Sequence, residues 1–214
     1  MRIDTLVVGA FEENCWYLHD PVAREGVLID PGDDAEGILE MVERSGARLT
    51  AVWLTHAHLD HIGAVEGVRR AVPDVPVLLH PSDLPVYTNA QRVAQAYGLP
   101  YEQPSPPDGP LAEGDVVCVG THRFTVWHLP GHAPGHVAFI GEGHCFSGDL
   151  LFAGSIGRSD LPLCDPTALA RSLERLATLP PETVVHPGHG PGTTIGAENR
   201  DNPFLNGRAR ILGG

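Results

Sequence analysis

Four side chains of the kinds that ligate metals stand within six residues, where a predicted strand meets a predicted helix in this 214-residue chain. The segment has the sequence THAHLDH and spans residues 55–61. The apolar stretch Ala51–Leu54, which favours a strand, precedes it, and the amphipathic stretch His61–Ala71, which favours a helix, follows it. The fold must therefore place a strand-to-helix turn where these side chains can converge.

The spacing within this segment suits two cations. Side chains two residues apart on an extended chain point the same way, so His56 and His58 can reach one cation. The turn that begins the helix directs Asp60 and His61 toward a second cation. Imidazole and carboxylate are ligands that zinc, iron and manganese accept. A polar loop that happens to be histidine-rich is the simpler interpretation, but H-x-H-x-D-H after an apolar strand favours a metal site.

Two metal sites need more than four ligands, so the hypothesis requires histidines or carboxylates from later loops. Three later segments offer them: HLPGHAPGH at 128–136, SGD at 147–149 and HPGHG at 186–190. Each follows a predicted strand, where its side chains can turn toward one edge of a sheet. Spacing alone does not choose among the histidines, and an aspartate such as Asp149 is also common in ordinary turns.

Composition excludes several classes of function. The formal charge of −13 opposes binding to nucleic acid. All 14 basic residues are arginine, which excludes lysine Schiff bases, a lysine general base and a P-loop. The N-terminal segment lacks a secretory signal and no apolar run has bilayer length, so no membrane partner is expected. The four widely spaced cysteines favour buried structural thiols in a reducing compartment, which predicts a cytoplasmic protein.

The chain contains 25 glycines and 20 prolines, which favours many short elements joined by tight turns. The proline-rich segment Gln103–Pro110 is expected to be a loop that cannot pair in a sheet and that forms a lid. The whole pattern predicts an α/β fold, with two sheets packed face to face and helices outside, in a single domain over residues 1–214. Strands are predicted at Ile3–Val8, Cys15–His19, Gly26–Ile29, Thr50–Leu54, Val75–Leu79, Val116–Val119, Arg123–Leu129, Val137–Ile140, Cys145–Phe146 and Thr183–Val185, and helices at Ala35–Ser45, His61–Ala71, Ser82–Tyr97 (one or two helices) and Asp165–Leu179.

These motifs together resemble the metallo-β-lactamase superfamily and, within it, the glyoxalase II-like hydrolases (hydroxyacylglutathione hydrolases). The likeness extends from ENC at 13–15 and DPG at 30–32 to NPFL at 202–205. It implies an αββα four-layer sandwich of two mixed sheets, with the metals at one edge between the sheets. It also implies two divalent ions, with zinc expected and iron or manganese compatible. By this resemblance one metal is held by His56, His58 and His132, the other is held by Asp60, His61 and His189, and Asp149 bridges them.

The resemblance implies hydrolysis of a small-molecule thioester, such as S-lactoylglutathione or a related acyl compound, by a hydroxide that bridges the metals. Asp60 is then also a catalytic candidate, because a carboxylate beside that hydroxide can orient it and accept its proton. Glyoxalase II enzymes carry a C-terminal helical domain that helps to bind glutathione, and no such domain is expected here. Arg158 is a candidate to replace its substrate contacts.

Two alternatives to this hydrolase remain. A persulfide dioxygenase resembles the chain equally in the stretch after Asp149, and it would hold one iron on His56, His132 and Asp149. A metal-binding module without catalysis is the other, although such relatives usually lose ligands. A secreted β-lactamase commonly has cysteine in place of Asp149, and diiron oxygen reductases have glutamate in place of His58 and need a flavin domain. Both of these are disfavoured.

Overall fold

A computed structural model of the chain, described here for residues 1–211, contains two six-stranded sheets. The first sheet is built from the N-terminal half of the chain, and its strands lie in sequence order. Its first three strands are antiparallel and its last three pairings are parallel, so the sheet is mixed. The strands are β1 (Arg2–Val8), β2 (Glu13–Asp20), β3 (Glu25–Ile29), β4 (Arg48–Trp53), β5 (Val77–Leu79) and β6 (Gly109–Pro110).

The second sheet is built from the C-terminal half, in the order β14-β13-β10-β9-β8-β7. It is also mixed, because β10 and β13 are parallel while their neighbours are antiparallel. A two-stranded ribbon, β11 with β12, follows β10. The bounds are β7 (Val116–Val119), β8 (His122–His128), β9 (Val137–Gly141), β10 (His144–Gly148), β11 (Leu151–Phe152), β12 (Ser155–Ile156), β13 (Val184–Pro187) and β14 (Thr193–Thr194).

Helices cover the outer face of each sheet. A short 3-10 helix at Pro81–Asp83 leads into α4. Helices α1, α3 and α4 contribute to the apolar cluster outside the first sheet, and α5 contributes to the cluster outside the second. The helices are α1 (Ala35–Ser45), α2 (Leu59–Ile62), α3 (Val65–Ala71), α4 (Leu84–Tyr97), α5 (Pro166–Leu176) and α6 (Ile195–Asp201).

The central core lies between the two sheets. Val27 and Ile29 of β3 belong to this core, whereas Leu28 between them packs with the helices outside. On the opposite sheet, Phe146 of β10 faces the central core and Cys145 faces the helix layer. Successive side chains of a strand point to opposite faces, so strands covered on both sides are apolar throughout. The predicted αββα sandwich of two mixed sheets is confirmed.

The segment Gln103–Pro110 differs from its prediction in two ways. Gly109–Pro110 pairs with β5 as a parallel edge strand, so the expectation that this segment cannot pair in a sheet is wrong. Proline is tolerated there because an edge strand leaves one side without partners. The segment is also no lid, since it lines neither described cavity and is held against the helices. Arg69 donates hydrogen bonds to the carbonyls of Ser105 and Pro106 at 3.0 Å.

The helix predicted at His61–Ala71 is two helices. The first begins at Leu59, and the chain breaks at Gly63–Ala64 before the second begins at Val65. A side chain at Gly63 would collide with the carbonyl oxygen of Gly32. Glycine at this break therefore allows the two backbone segments to approach closely. The helix after Asp165 forms with Asp165 as its N-cap, but it ends at Leu176.

Three further structural findings bear on the predictions. Strands β11, β12 and β14 are absent from the prediction because two-residue strands leave no periodic pattern, and the seven-residue helix α6 is absent because two turns show little periodicity. Cys15 and Cys145 are buried as expected, whereas Cys118 is exposed on an edge strand, so the expectation of buried thiols is wrong there. No helix within residues 1–211 is both long enough and apolar enough to cross a membrane.

Candidate metal centre

The predicted ligands meet at one edge of the sandwich, where parallel strands of both sheets end. In the first sheet, His56 lies three residues beyond β4. In the second, Asp149 directly follows β10, and His189 lies two residues beyond the parallel strand β13. His132 lies in the loop between β8 and β9. Carboxyl ends of parallel strands are the usual place for ligand sites in α/β folds, because the following turns converge there.

The predicted ligands form two groups of three side chains whose ligating atoms all lie within 4.8 Å of one another. The first group is His56, His58 and His132, and the Nδ1 atom of His58 lies 2.9 Å from Nε2 of His132. Both sheets contribute, since the first two residues follow β4 and the third precedes β9. The structure thus brings together the residues predicted for one cation.

The second group is Asp60, His61 and His189. Nε2 of His189 lies 3.3 Å from Oδ2 of Asp60, and Nε2 of His61 lies 3.9 Å from the same oxygen. Asp60 and His61 reach this position because helix α2 begins at Leu59 and turns them away from His58. These are the residues predicted for the second cation.

Asp149 lies between the two groups. Its Oδ1 atom is 3.4 Å from Nε2 of His61, in the second group. Its Oδ2 atom is 3.5 Å from Nε2 of His132, in the first group, and 3.5 Å from Nε2 of His189. A carboxylate in this position can contact cations on either side. All seven predicted ligands therefore lie within one cluster.

Hydrogen bonds fix which ring nitrogen each histidine presents to the cluster. Nδ1 of His132 donates to the carbonyl of Arg158 at 2.9 Å, and Nδ1 of His189 donates to the carbonyl of Phe11 at 3.0 Å. Nδ1 of His61 lies 3.1 Å from Oδ2 of Asp30. Each of these contacts occupies Nδ1 and so directs Nε2 toward the cluster. Such outer partners commonly orient metal-binding histidines.

Asp30 and Thr55 contact the predicted ligands, although the sequence motifs that contain them, DPG at 30–32 and THAHLDH at 55–61, gave neither residue a role at the site. Asp30 accepts hydrogen bonds from the Thr55 backbone N–H at 2.7 Å and from its hydroxyl at 2.5 Å, besides facing His61. The Thr55 hydroxyl also lies 3.0 Å from Nδ1 of His56. Asp30, His56 and His61 have ligating atoms within 4.8 Å of one another, but both Asp30 oxygens already have partners. Asp30 therefore orients the histidines.

The loop that carries His189 is held by the N-terminal hairpin. The Asn14 backbone N–H donates to the carbonyl of Gly188 at 2.7 Å. Its side-chain amide donates to the carbonyl of Pro187 at 3.1 Å and to that of Gly190 at 2.9 Å. A side chain at Gly188 would collide with Oδ1 of Asp149, so only glycine allows this loop to pass so close to the cluster. Within the segment ENC at 13–15, Asn14 thus holds the loop of His189 in place.

Burial lowers the pKa of the histidines in the first group. Desolvation, with His61 as the next cause, lowers the pKa of His56 well below its usual value. Desolvation and the neighbouring His132 lower the pKa of His58 to about 3. The pKa of His132 is also lowered, again mainly by burial. These imidazoles are neutral at physiological pH, which is the form that binds metals.

The carboxylates and the other two histidines shift toward their charged forms. Burial alone would raise the pKa of Asp149, but the proximity of His61 outweighs it and lowers that pKa. The pKa of Asp60 is lowered for the same reason. Burial alone would lower the pKa of His61, but Asp149 and Asp60 outweigh it and raise it well above its usual value. The two carboxylates and the two imidazole rings thus pair as ions, and a bound metal ion would take the place of the ring protons.

The remaining histidines of the later motifs lie outside both groups. His136 is buried behind the cluster, where its Nε2 accepts a hydrogen bond from the Asp149 backbone N–H at 3.1 Å. His128 stacks on His80 with ring centroids 4.0 Å apart. His186 pairs with His144, with the two ring nitrogens 2.9 Å apart. Packing therefore separates histidines that spacing alone left equivalent.

The donor set fits divalent cations. Nε2 of His56 is fully buried and makes no hydrogen bond within the described residues, which a metal ion would satisfy. Imidazole and carboxylate donors suit zinc, iron and manganese alike, so the donors do not select one of them. A cavity of about 330 Å³ opens above the cluster and is lined by His58, Asp60, His132, Asp149 and His189. Arg158 lines the same cavity, but its guanidinium is bound to Asp160.

Comparison with known proteins agrees with this geometry. The sequence model of the metallo-beta-lactamase superfamily matches residues 8–189, which include every residue of the cluster. The chain belongs to the metallo-β-lactamase superfamily. Among superfamily members, the hydroxyacylglutathione hydrolase GloC of Haemophilus influenzae is 36% identical over 98% of this chain and 100% of its own length. The chain is accordingly a metallo-hydrolase with glyoxalase II-like relatives.

Two solved structures of the superfamily are also similar over nearly the whole chain. TTHA1623, crystallised in a di-iron-bound form, superposes with a TM-score of 0.87 at 50% identity, over 94% of this chain and 100% of that one. The B3 metallo-beta-lactamase BLEG-1 superposes with a TM-score of 0.85 at 37% identity, over 95% and 99% of the two chains. The relatives of this chain therefore include proteins named for different activities, a hydroxyacylglutathione hydrolase and a metallo-beta-lactamase.

Proposed function

We propose that the chain hydrolyses a small-molecule thioester, with S-lactoylglutathione as the reference substrate, on two divalent metal ions. The observation that carries the proposal is the pair of three-residue groups, each with ligating atoms within 4.8 Å of one another, that share the carboxylate of Asp149. The likeness to a hydroxyacylglutathione hydrolase over the full length of both proteins supports the substrate class. Zinc is the expected metal. We also propose a cytoplasmic location without nucleic-acid partners, on charge and composition.

The assignment of ligands follows the two groups. His56, His58 and His132 would hold one ion, Asp60, His61 and His189 the other, and Asp149 would contact both. Such ions, when bound, would lower the pKa of a coordinated water toward about 7 and would polarise the substrate carbonyl. Water then adds to the carbonyl carbon, the C–S bond breaks, and a carboxylic acid and a thiol are released.

The chain's own residues position this reaction. Asp60 is the proposed catalytic base, because its carboxylate borders the cavity and its lowered pKa keeps it ionised. His189 holds that carboxylate at 3.3 Å. Asp30 and Thr55 fix the rings of His61 and His56 from behind. A thiolate is a good leaving group, so no strong general acid is needed.

Metal analysis combined with a thioesterase assay tests the proposal. The purified holoenzyme is expected to contain two metal ions per chain and to hydrolyse S-lactoylglutathione. His58→Ala should lose one ion and reduce kcat/KM at least about a hundredfold, because the first group then has only two donors. His122→Ala, which removes a histidine paired with Glu142 outside the cluster, should change neither value.

Other outcomes would contradict the proposal in distinct ways. One iron per chain, with oxygen uptake on glutathione persulfide, would identify the persulfide dioxygenase. Hydrolysis of a cephalosporin but of no thioester would identify a β-lactamase. A fully metal-loaded protein without any hydrolytic or oxidative activity would identify a binding module.

A further inference from the structure

The cavity above the metal ligands has mainly apolar walls. Helix α4 contributes Val86 and Val93 on one side, and the segment after β12 contributes Leu161 and Leu163 on the other. Phe152 lies near His189, with ring centroids 6.0 Å apart. The metal ligands aside, the polar side chains that line the cavity are those of Asn89, Tyr97 and Arg158. Apolar walls with a few polar groups are typical of small-molecule sites.

Large apolar side chains are also exposed at this cavity. Phe11, Tyr97 and Leu163 line it and expose 39%, 55% and 59% of their surface. The rings of Phe11 and Tyr97 meet edge to face, with centroids 5.8 Å apart, so they form one surface. Leu163 has a φ of 71°, a conformation that leucine rarely adopts and that costs energy. Exposed apolar surface around a cleft indicates a ligand that covers it.

Apart from the two proposed metal ions, the charged groups at the cavity do not favour an anionic ligand. Arg158 is its one arginine, and both of its hydrogen bonds at this end go to the carboxylate of Asp160, at 2.9 and 3.0 Å. The chain has no lysine and a formal charge of −13. Asp160 thereby takes up the Nε and one Nη2 donor of Arg158, so a substrate carboxylate must share this arginine with Asp160 and approach a chain of net negative charge.

We propose that the preferred substrate is an uncharged thioester with an apolar group in this cavity, and that Asp160 disfavours carboxylated conjugates by occupying Arg158. This inference rests on the proposed thioesterase function and specifies its substrate class. Glutathione conjugates carry two carboxylates, so they are expected to be the poorer substrates. The apolar group is attached either to the carbonyl carbon or to the sulfur, and the choice of substrates below separates these cases.

Matched thioesters test the substrate class with the holoenzyme. S-lactoyl-N-acetylcysteamine has the same acyl group as S-lactoylglutathione but no carboxylate, and its kcat/KM should be higher. S-phenylacetyl-N-acetylcysteamine has an apolar acyl group in place of the lactoyl group. The lactoyl thioester of benzyl mercaptan has an apolar thiol in place of N-acetylcysteamine. At least one of these two should exceed S-lactoyl-N-acetylcysteamine about tenfold in kcat/KM, because the ring buries apolar surface.

Substitution of Asp160 tests its role. In Asp160→Asn, the ratio of KM for S-lactoylglutathione to KM for S-lactoyl-N-acetylcysteamine should fall about two- to fivefold, because Arg158 becomes available to a substrate carboxylate. Asp201→Asn is the matched control. It breaks a similar exposed pair, between Arg200 and Asp201, at a site that does not line the cavity. It makes the same change in net charge, so the ratio should stay at the wild-type value.

The failures of the two proposals are distinguishable. If no thioester is hydrolysed, the proposed function is wrong. If thioesters are hydrolysed but S-lactoylglutathione has the highest kcat/KM, the function stands and the inferred substrate class is overturned. If Asp160→Asn and Asp201→Asn change the KM ratio equally, long-range charge explains the effect and Asp160 is not a specificity determinant.

Discussion

At the scale of single residues, the cluster depends on partners that bind no substrate. His61 is fully buried, and its Nδ1 atom faces Asp30 at 3.1 Å. Asp30 is in turn held by two hydrogen bonds from Thr55. The orientation of the His61 ring is therefore set by Asp30 and, through it, by Thr55. Both residues are buried, so water does not reach them.

Asp30→Asn should weaken metal binding while the fold persists. The asparagine oxygen can still accept the hydrogen bond from the Thr55 backbone N–H. The amide nitrogen then faces Nδ1–H of His61, and because both groups are donors, the hydrogen bond that orients His61 is lost. We expect metal affinity to fall about ten- to hundredfold. Competition with a chromophoric chelator measures this affinity. Asp34→Asn, at the exposed N-cap of α1, is the matched control, because asparagine caps helices as well as aspartate does. Equal affinities in the two variants would show that Asp30 does not position His61.

Sequence spacing identifies the site residues that lie close together in the chain better than those that lie far apart. His56, His58, Asp60 and His61 stand together in one segment, so spacing alone pointed to a metal site. Asp30 lies 25 residues before Thr55, so the segment DPG at 30–32 contributed to the family resemblance but did not reveal that Asp30 faces His61. Likewise, spacing could not separate His132 from His128 and His136, because burial and packing decide between them.

At the scale of elements, polar side chains fix several turns. Asp20 closes the turn between β2 and β3 by accepting hydrogen bonds from the backbone N–H groups of Val22 at 2.8 Å and Ala23 at 3.1 Å. Its second oxygen accepts a bond from the N–H of Thr121, in the turn between β7 and β8. One carboxylate thus joins turns of the two sheets at the edge opposite the metal centre.

This carboxylate should make stability depend on pH. Backbone hydrogen bonds, with that of Ala23 the largest cause, lower the pKa of Asp20 to about 2 in the folded protein. The pKa in the unfolded chain is higher, about 3.9. The stabilisation is therefore fully present above about pH 5 and is lost as pH falls through about 2.

The variant Asp20→Asn isolates this contribution. The difference in free energy of unfolding between wild type and variant should shrink steadily from pH 5 to pH 2, measured by urea denaturation. Both proteins are used without metal, so that protonation of the histidines affects them equally. Asp74→Asn, an exposed site, provides a comparison with the same change in charge. A difference that does not vary with pH would refute the assignment.

The elements show where sequence patterns are informative. Long amphipathic or apolar segments such as α1, α5 and β3 are predicted well because their burial is periodic. The two-residue strands are missed because their pairing is set by distant neighbours. Pro110 illustrates this, since only its place at a sheet edge makes a paired proline acceptable.

At the scale of the whole molecule, the centre joins the two sheets. The first sheet supplies His56, His58, Asp60 and His61, and the second supplies the other three proposed ligands. Metal ions bound there would be held by side chains of both sheets, and they would bind the folded chain only. Bound metal should therefore stabilise the entire fold.

Removal of metal should lower the melting temperature. A ligand at a hundredfold excess over its Kd stabilises a protein by about 2.7 kcal/mol. For a chain of this length, that corresponds to a shift of about 5–10 °C. Calorimetry before and after chelation measures the shift, and added zinc should restore the original value. An unchanged melting temperature after verified metal loss would show that the centre does not join the sheets.

The contacts of Asn14 with the loop of His189 have a consequence for the order of folding. The hydrogen bonds from this side chain span 173 and 176 residues of sequence. A chain emerging from the ribosome completes β1 and β2 early, yet it cannot form these bonds until almost all of it has been synthesised. Contacts this distant in sequence form slowly. The N-terminal hairpin therefore waits for the C-terminal half, and the metal centre is completed among the last steps of folding.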